Sequence, residues 1–430
     1  MKFIFADCLD YIDPKYDFEN DEYHKGRRPY WDDQFPHEYL GYAPYDGMLV
    51  SRAIVGDHKF SGKYTQSQAM RFRRVGARKF LRFDAPQFKS MPIFGDCGAF
   101  QYCKLEVPPY TPQDMIEFYE DGGFTYGISI DHIIFDFDPN LKGMDGGSED
   151  AKKRFEITLE LAEQFINECK SQRVSFHPIG VVQGWSPGSM REATRRLIAM
   201  GYDYIAIGGL VPLMPPEIHA ILQEVTAAIK NHDVKIHLLG FAKADSLSEF
   251  TKYQIASFDT TSPLIRAFKD DKQNYYELSN DESLEYYTAI RIPQVNENNT
   301  LGRKIKTGIF RQEDLTILEM DALHKVRQYD KEEVSLDVAL DAIMKYSKPL
   351  FCSEKASQKS NDFKLNKYME FYRRTLLAKP WQKCSCKVCD SISVETILFR
   401  ASNRNKRRGF HNLTVFYEHL QKILRNQPCQ

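Results

Sequence analysis

Between Phe124 and Thr261 the chain switches repeatedly between two hydrophobic periods. Short continuous apolar runs read as strands buried on both faces: FTYGISID (Phe124 to Asp131), FHPIGVVQG (Phe176 to Gly184), YIAIGGL (Tyr204 to Leu210), KIHLLG (Lys235 to Gly240) and IASFDTT (Ile255 to Thr261). Between them apolar residues recur at spacings of three and four, the signature of a helix with one buried face. Phe155, Leu159, Ala162, Phe165, Ile166 and Cys169 form one such face. Met190, Ala193, Leu197 and Ile198 form another, stopped by Gly201; Ile218, Ile221, Leu222, Val225, Ala228 and Ile229 form a third, opened by Pro215 and Pro216. Strand and helix alternating about every 25 to 30 residues imply right-handed βαβ units and a parallel sheet. An open doubly wound sheet is the alternative, but no G-x-G-x-x-G opens a helix. The expected fold class is α/β, a (β/α)8 TIM barrel.

A length of 430 residues holds such a barrel with additions. The expected division is a barrel core over 1–268, a largely helical insertion over 269–383 and a metal-binding segment over 384–430. In the insertion, IRIPQVNENNTLGRKIKTGIF predicts a hairpin turning around Asn296 to Asn299. Amphipathic helices follow in DLTILEMDALHKVRQY, VSLDVALDAIMKY and NKYMEFYRRTLL, with a polar loop from Ser353 to Asp362. The first ninety residues are aromatic-rich and irregular, and predict short strands and loops. Lys and Arg number 58 against 59 Asp and Glu, so the formal charge is −1 and no global positive field holds a polyanion. No apolar stretch is long enough to span a membrane, and the first residues lack the build of a signal peptide. Nine cysteines, an odd and uneven set, read as reduced thiols in a cytoplasmic protein.

The strongest local motif is CSCKVCD, giving Cys384, Cys386 and Cys389, followed by His411 in GFHNL. Three clustered thiolates and one imidazole supply the tetrahedral set that Zn2+ requires, with no position left for water, so the expected metal is structural and staples the tail to the barrel. An iron–sulfur cluster is the weaker competitor, because it calls for a fourth thiolate. A second constellation is Asp96 (in PIFGDCGAFQY), Asp131 and Asp259, each at a predicted strand end. Barrel chemistry sits at the carboxyl ends of the strands, so acids far apart in sequence can meet there. Two carboxylates around one anomeric carbon can break a glycosidic bond with retention, one attacking and one handling the leaving-group proton.

The motifs D-C-G-A-F-Q, I-D, V-V-Q-G, A-I-G-G-L, F-D-T-T-S-P-L and C-x-C-x-x-C…H-N-L, in that order from Asp96 to His411, resemble the tRNA-guanine transglycosylase superfamily. The resemblance implies zinc-containing (β/α)8 barrels that exchange a guanine in a polynucleotide for a 7-deazaguanine through a covalent glycosyl-enzyme. It implies Asp259 as nucleophile and Asp96 as general acid/base. Asp131 would read the guanine N1–H and N2–H2 donors, with Gln183, Gly184 and the backbone of Gly209 and Leu210 on the neighbouring edge. Cys384, Cys386, Cys389 and His411 fall on the zinc ligands. Cys97 and Ala99 replace the Ser and Gly that the RNA enzymes carry, the stretch after Asp259 lacks P-T-R, and the insertion is long. The pattern looks most like the DNA-modifying branch, the DNA 7-deazaguanine transglycosylases that insert 7-cyano-7-deazaguanine (preQ0). That implies DNA as partner, with tRNA as the alternative polymer, a non-catalytic docking subunit as a further one, and a helper protein and oligomeric state left open. The run Arg404, Lys406, Arg407 and Arg408 is expected to clamp phosphates, extended by Arg373, Arg374 and Trp381. Trp185 is expected to stack on the extruded base or to sit in the core.

Overall fold

The computed structural model describes residues 1–426. Residues 427–430, which include Cys429 and the end of the expected metal-binding segment, lie outside the described residues. The chain forms two compact units. One comprises residues 1–10, 45–261 and 423–426; the other comprises 11–44 and 262–422. These units cut the chain elsewhere than the expected boundaries at 268 and 383.

The first unit is a closed barrel of eight parallel strands: β1 (Lys2–Ala6), β2 (Gly47–Ser51), β3 (Ile93–Asp96), β4 (Tyr126–Ile128), β5 (His177–Val182), β6 (Tyr204–Ile207), β7 (Lys235–Leu238) and β8 (Ser257–Thr260). Neighbours in sequence pair in space, and β8 pairs back onto β1 with Ile4 opposite Asp259. The core of the barrel holds Ile4, Leu49, Phe94, Ile128, Ile179, Val181, Tyr204 and Ala206. The helices expected outside it are Glu149–Gln172, Pro187–Met200 and Pro215–Ile229. The first buries every apolar residue assigned to its face. The second ends at Gly201, whose φ of 98° only glycine adopts freely. A helix at Pro112–Gly122 drives Tyr119 against the sheet so closely that a Cβ on Gly95 would lie 2.3 Å from its ring.

The first ninety residues supply short strands, β1 and β2, as expected, and beyond expectation a helix over Gln66–Phe80, which Thr65 caps by accepting from the Gln68 N–H. Gly76 interrupts that helix at φ 79°, which breaks its apolar period and hid it in the sequence.

In the second unit the hairpin lies earlier than expected. It pairs β9 (Tyr275–Leu278) with β10 (Leu284–Tyr287). The Asn298 side chain instead accepts from the Thr300 and Leu301 N–H groups and starts a helix over Asn299–Lys306. The three expected helices are present at Gln312–Asp330, Leu336–Phe351 and Gln358–Ala378, the last beginning inside the stretch read as a loop. A long helix, Ser402–Arg425, carries His411. Among the described residues no helix is long and apolar enough to cross a membrane.

Candidate active site

Parallel strands that all point one way deliver their final residues to one rim, and there the barrel opens into a cavity of about 160 Å3. Asp96, Asp131, Gln183, Gly209 and Asp259 all line it, together with Ser51, Phe100, Gly208 and Val211. Gly184 and Leu210 are not among the residues lining it; Gly184 lies close to Ser189 and Met190, and the backbone of Leu210 follows Gly209 at its edge.

Asp96 is the last residue of β3, in register with Ser51 at the end of β2. Ser51 Oγ donates to Asp96 Oδ2 at 2.5 Å, and the Gly98 N–H donates to the same oxygen at 3.0 Å. Burial raises the pKa of this carboxyl, and the nearby Asp259 raises it further. Asp131 follows β4 and is 3% exposed. Gln183 Nε2 donates to Asp131 Oδ2 at 2.7 Å and Cys97 Sγ donates to Oδ1 at 3.4 Å. Burial, then the charge of Asp96, pushes its pKa up to about 7. The Ile134 N–H donates to Gln183 Oε1 at 3.4 Å, which fixes which end of the amide faces Asp131.

Asp259 lies in β8. Its Oδ1 accepts the Gly240 N–H at 2.9 Å and lies 3.3 Å from His237 Nε2. His237 is fully buried, stacks on Phe94 at 5.3 Å between centroids, and places Nδ1 2.6 Å from Ser257 Oγ. Ser257 Oγ is in turn 2.6 Å from Tyr204 Oη. Ser51 and His237 are site residues that sequence reasoning did not name. Ser51 lies in the aromatic-rich first ninety residues, where no clear period marks a strand end. His237 had a signal: a histidine in the apolar run KIHLLG, one residue before the strand's last residue, Leu238.

The expected phosphate clamp is not one. Arg404, Arg407 and Arg408 are 0%, 3% and 0% exposed, on the buried face of Ser402–Arg425. Arg404 pairs with Glu395 at 2.7 Å and with Asp21. Arg407 donates to the Asp13 carbonyl at 2.9 Å and to Tyr39 Oη at 3.0 Å. Arg408 donates to the carbonyls of Ala267 (2.5 Å), Leu398 (2.9 Å) and Thr396 (3.1 Å). Lys406 donates to the Tyr11 carbonyl at 3.2 Å. These cations hold the second unit together because its carbonyls and acids need donors that water cannot reach. Arg373 and Arg374 are paired with Asp337 and Glu285. Trp381 is buried with Nε1 donating to Asp330, and Trp185 is buried with Nε1 donating to the Asp145 carbonyl, so neither offers a face for stacking.

The cysteine motif does converge. In the second unit, His411 Nδ1 lies 3.5, 3.4 and 3.5 Å from the Sγ atoms of Cys384, Cys386 and Cys389. A nitrogen and a sulfur on a tetrahedron with metal–sulfur bonds of about 2.3 Å and metal–nitrogen bonds of about 2.0 Å are about 3.5 Å apart, the spacing found here, and all four ligand atoms lie within 4.8 Å of one another. His411 Nε2 lies 2.7 Å from the Tyr276 carbonyl, which leaves Nδ1 as the ligand atom. The Tyr275 ring stacks on the imidazole at 4.1 Å.

No family model matches the chain. It is 41% identical over 426 residues, 99% of its own length and 97% of the relative's, to the DNA-guanine transglycosylase of Salmonella montevideo. It is 25% identical over 206 residues to the queuine tRNA-ribosyltransferase of Psychrobacter cryohalolentis, 45% of this chain and 52% of that one. It is 30% identical over 141 residues to the tRNA-guanine(15) transglycosylase of Methanobrevibacter smithii, 33% of this chain and 19% of that one. Barrel, acidic rim and relatives together define a base-exchanging glycosyltransferase of the tRNA-guanine transglycosylase superfamily. Within that superfamily the chain belongs to the DNA-guanine transglycosylase family.

Proposed function

We propose that the chain replaces guanine in DNA with a 7-deazaguanine base, preQ0, by double displacement at the barrel rim. Asp259 attacks C1′ of the target deoxyguanosine while Asp96 protonates the departing guanine. The incoming base then gives its N9 proton to Asp96 and attacks the glycosyl-aspartate from the face that guanine left, so two inversions give retention. Asp131 accepts the N1–H and N2–H2 donors of the purine, a pair that adenine lacks, and Gln183 and Gly209 border the neighbouring edge. The observation that carries this reading is that Asp96, Asp131 and Asp259, from three separate strands or strand ends, line a single cavity. The raised pKa of Asp96 suits a group that must hold a proton to deliver. A duplex base reaches such a cavity only after leaving its stack. DNA as the polymer is supported by the full-length relative, whose name specifies it. A structural Zn2+ on Cys384, Cys386, Cys389 and His411 completes the reading, its four protein ligands excluding water.

Incubation with radiolabelled guanine or preQ0 and either DNA or tRNA tests the proposal. Label is expected to enter DNA, with a denaturation-resistant protein–DNA adduct that Asp259→Asn abolishes. Incorporation into tRNA alone would transfer the activity to the RNA reading. Exchange on single-stranded but not duplex DNA would indicate a partner that opens the duplex.

A further inference from the structure

Resting on Asp259 as the nucleophile, we propose that His237 and the Gly240 N–H form a two-donor cradle that stabilises Asp259 as it returns to a free carboxylate, with His237 a positioning residue. Both donors address the same oxygen. Oδ1 takes Gly240 N–H at 2.9 Å and His237 Nε2 at 3.3 Å, while Oδ2 has no hydrogen-bond partner among the described residues. The carboxylate is thereby divided into a held oxygen and a free one, and the free one attacks.

The carboxylate fixes the tautomer. It can only accept, so the ring proton facing it sits on Nε2, and Nδ1 is left to accept from Ser257 O–H at 2.6 Å, with Tyr204 Oη 2.6 Å beyond as donor to Ser257 Oγ. Phe94 holds the ring plane from one side.

In the first displacement the Oδ2–C1′ bond forms and the C1′–N9 bond breaks. Its electron pair passes to guanine N9, which takes the Asp96 proton, and Oδ1 becomes an ester carbonyl. In the second, N9 of the incoming base bonds C1′ and yields its proton to Asp96. The C1′–Oδ2 bond breaks and its pair returns to the carboxylate. No proton passes through His237. A hydrogen bond to a carboxylate is stronger than one to an ester carbonyl, so the cradle acts most where charge returns to Asp259, in the second transition state.

The test is a chase: trap the covalent enzyme–DNA adduct, add preQ0, and follow its decay. His237→Phe keeps the ring but loses the donor, and is expected to slow decay about ten- to a hundredfold with little change in the preQ0 concentration at half-saturation. His237→Gln, which carries an N–H at a similar reach, is expected to restore most of the rate. Should His237→Phe fail to fold, Ser257→Ala serves: without its anchor the Nε2–H is less well aimed, and decay slows several-fold. Decay at the wild-type rate in His237→Phe, or in Ser257→Ala where that is used, or equal slowing in the Phe and Gln variants, overturns the cradle. An adduct that persists in Asp259→Asn overturns the nucleophile itself, and the cradle with it.

Discussion

In the proposed function Asp131 reads a purine edge, and it can do so only in one charge state. As a carboxylate it accepts two donors; protonated, it presents an O–H toward them. With its pKa at about 7, free guanine is expected to bind about tenfold more tightly at pH 8 than at pH 6, by titration calorimetry, as the ionised fraction rises across that window. Asp131→Asn should remove this dependence. The same carboxyl affects stability. Its folded pKa lies above the unfolded value, so the native state holds the extra proton between about pH 4 and pH 7 and loses stability as pH rises through that window, by up to about 4 kcal/mol. Asp131→Asn should therefore raise the melting temperature more at pH 8 than at pH 5. Asp96, Asp131, Gln183 and Asp259 were legible in the sequence because each sits where an apolar run gives way to polar residues. Ser51 and His237 were not. A serine closing a strand resembles any strand end, and a histidine inside an apolar run is more often core than machinery; only the register that sets Ser51 beside Asp96, and β7 beside β8, gives them meaning.

At the scale of elements, the helix Ser402–Arg425 shows how charge misleads when burial is unknown. A run of basic residues on a helix reads as a solvated face or a phosphate site, yet this run is turned inward. Arg408→Met is expected to leave the carbonyls of Ala267, Thr396 and Leu398 without donors and to cost about 3 to 5 kcal/mol in denaturant melts. It should not alter the slope of DNA affinity against salt, which a lost phosphate contact would reduce by about one. Strands β3 to β8 were readable because each is a short apolar run followed by a turn. β1 and β2 have the same character, but residues 7–46 between them hold turns and one short helix rather than a long periodic one, so no βαβ rhythm announced them. The misplaced hairpin has a similar origin: asparagines that suggest a turn serve equally well as a helix cap, and Asn298 does the latter.

For the whole molecule, the second unit is built from two distant stretches, 11–44 and 262–422, and order along the sequence gives no sign of that. Its cluster of three cysteines and His411 joins Cys384, Cys386 and Cys389 to a helix and to the strand carrying Tyr275 and Tyr276. Chelation is expected to lower the melting temperature and to expose the buried tyrosines of this unit, with one zinc released per chain by elemental analysis. The barrel carries a different requirement. Its closing seam joins residues 2–5 to 257–260, so during synthesis the first strand must wait for the last. Until roughly 260 residues have left the ribosome, β1 and the incomplete sheet present open edges to other chains. Nascent protein stalled before Ser257 should accordingly depend on chaperones and aggregate without them, and the strand that brings Asp259 to the rim is also the one that ends that exposure.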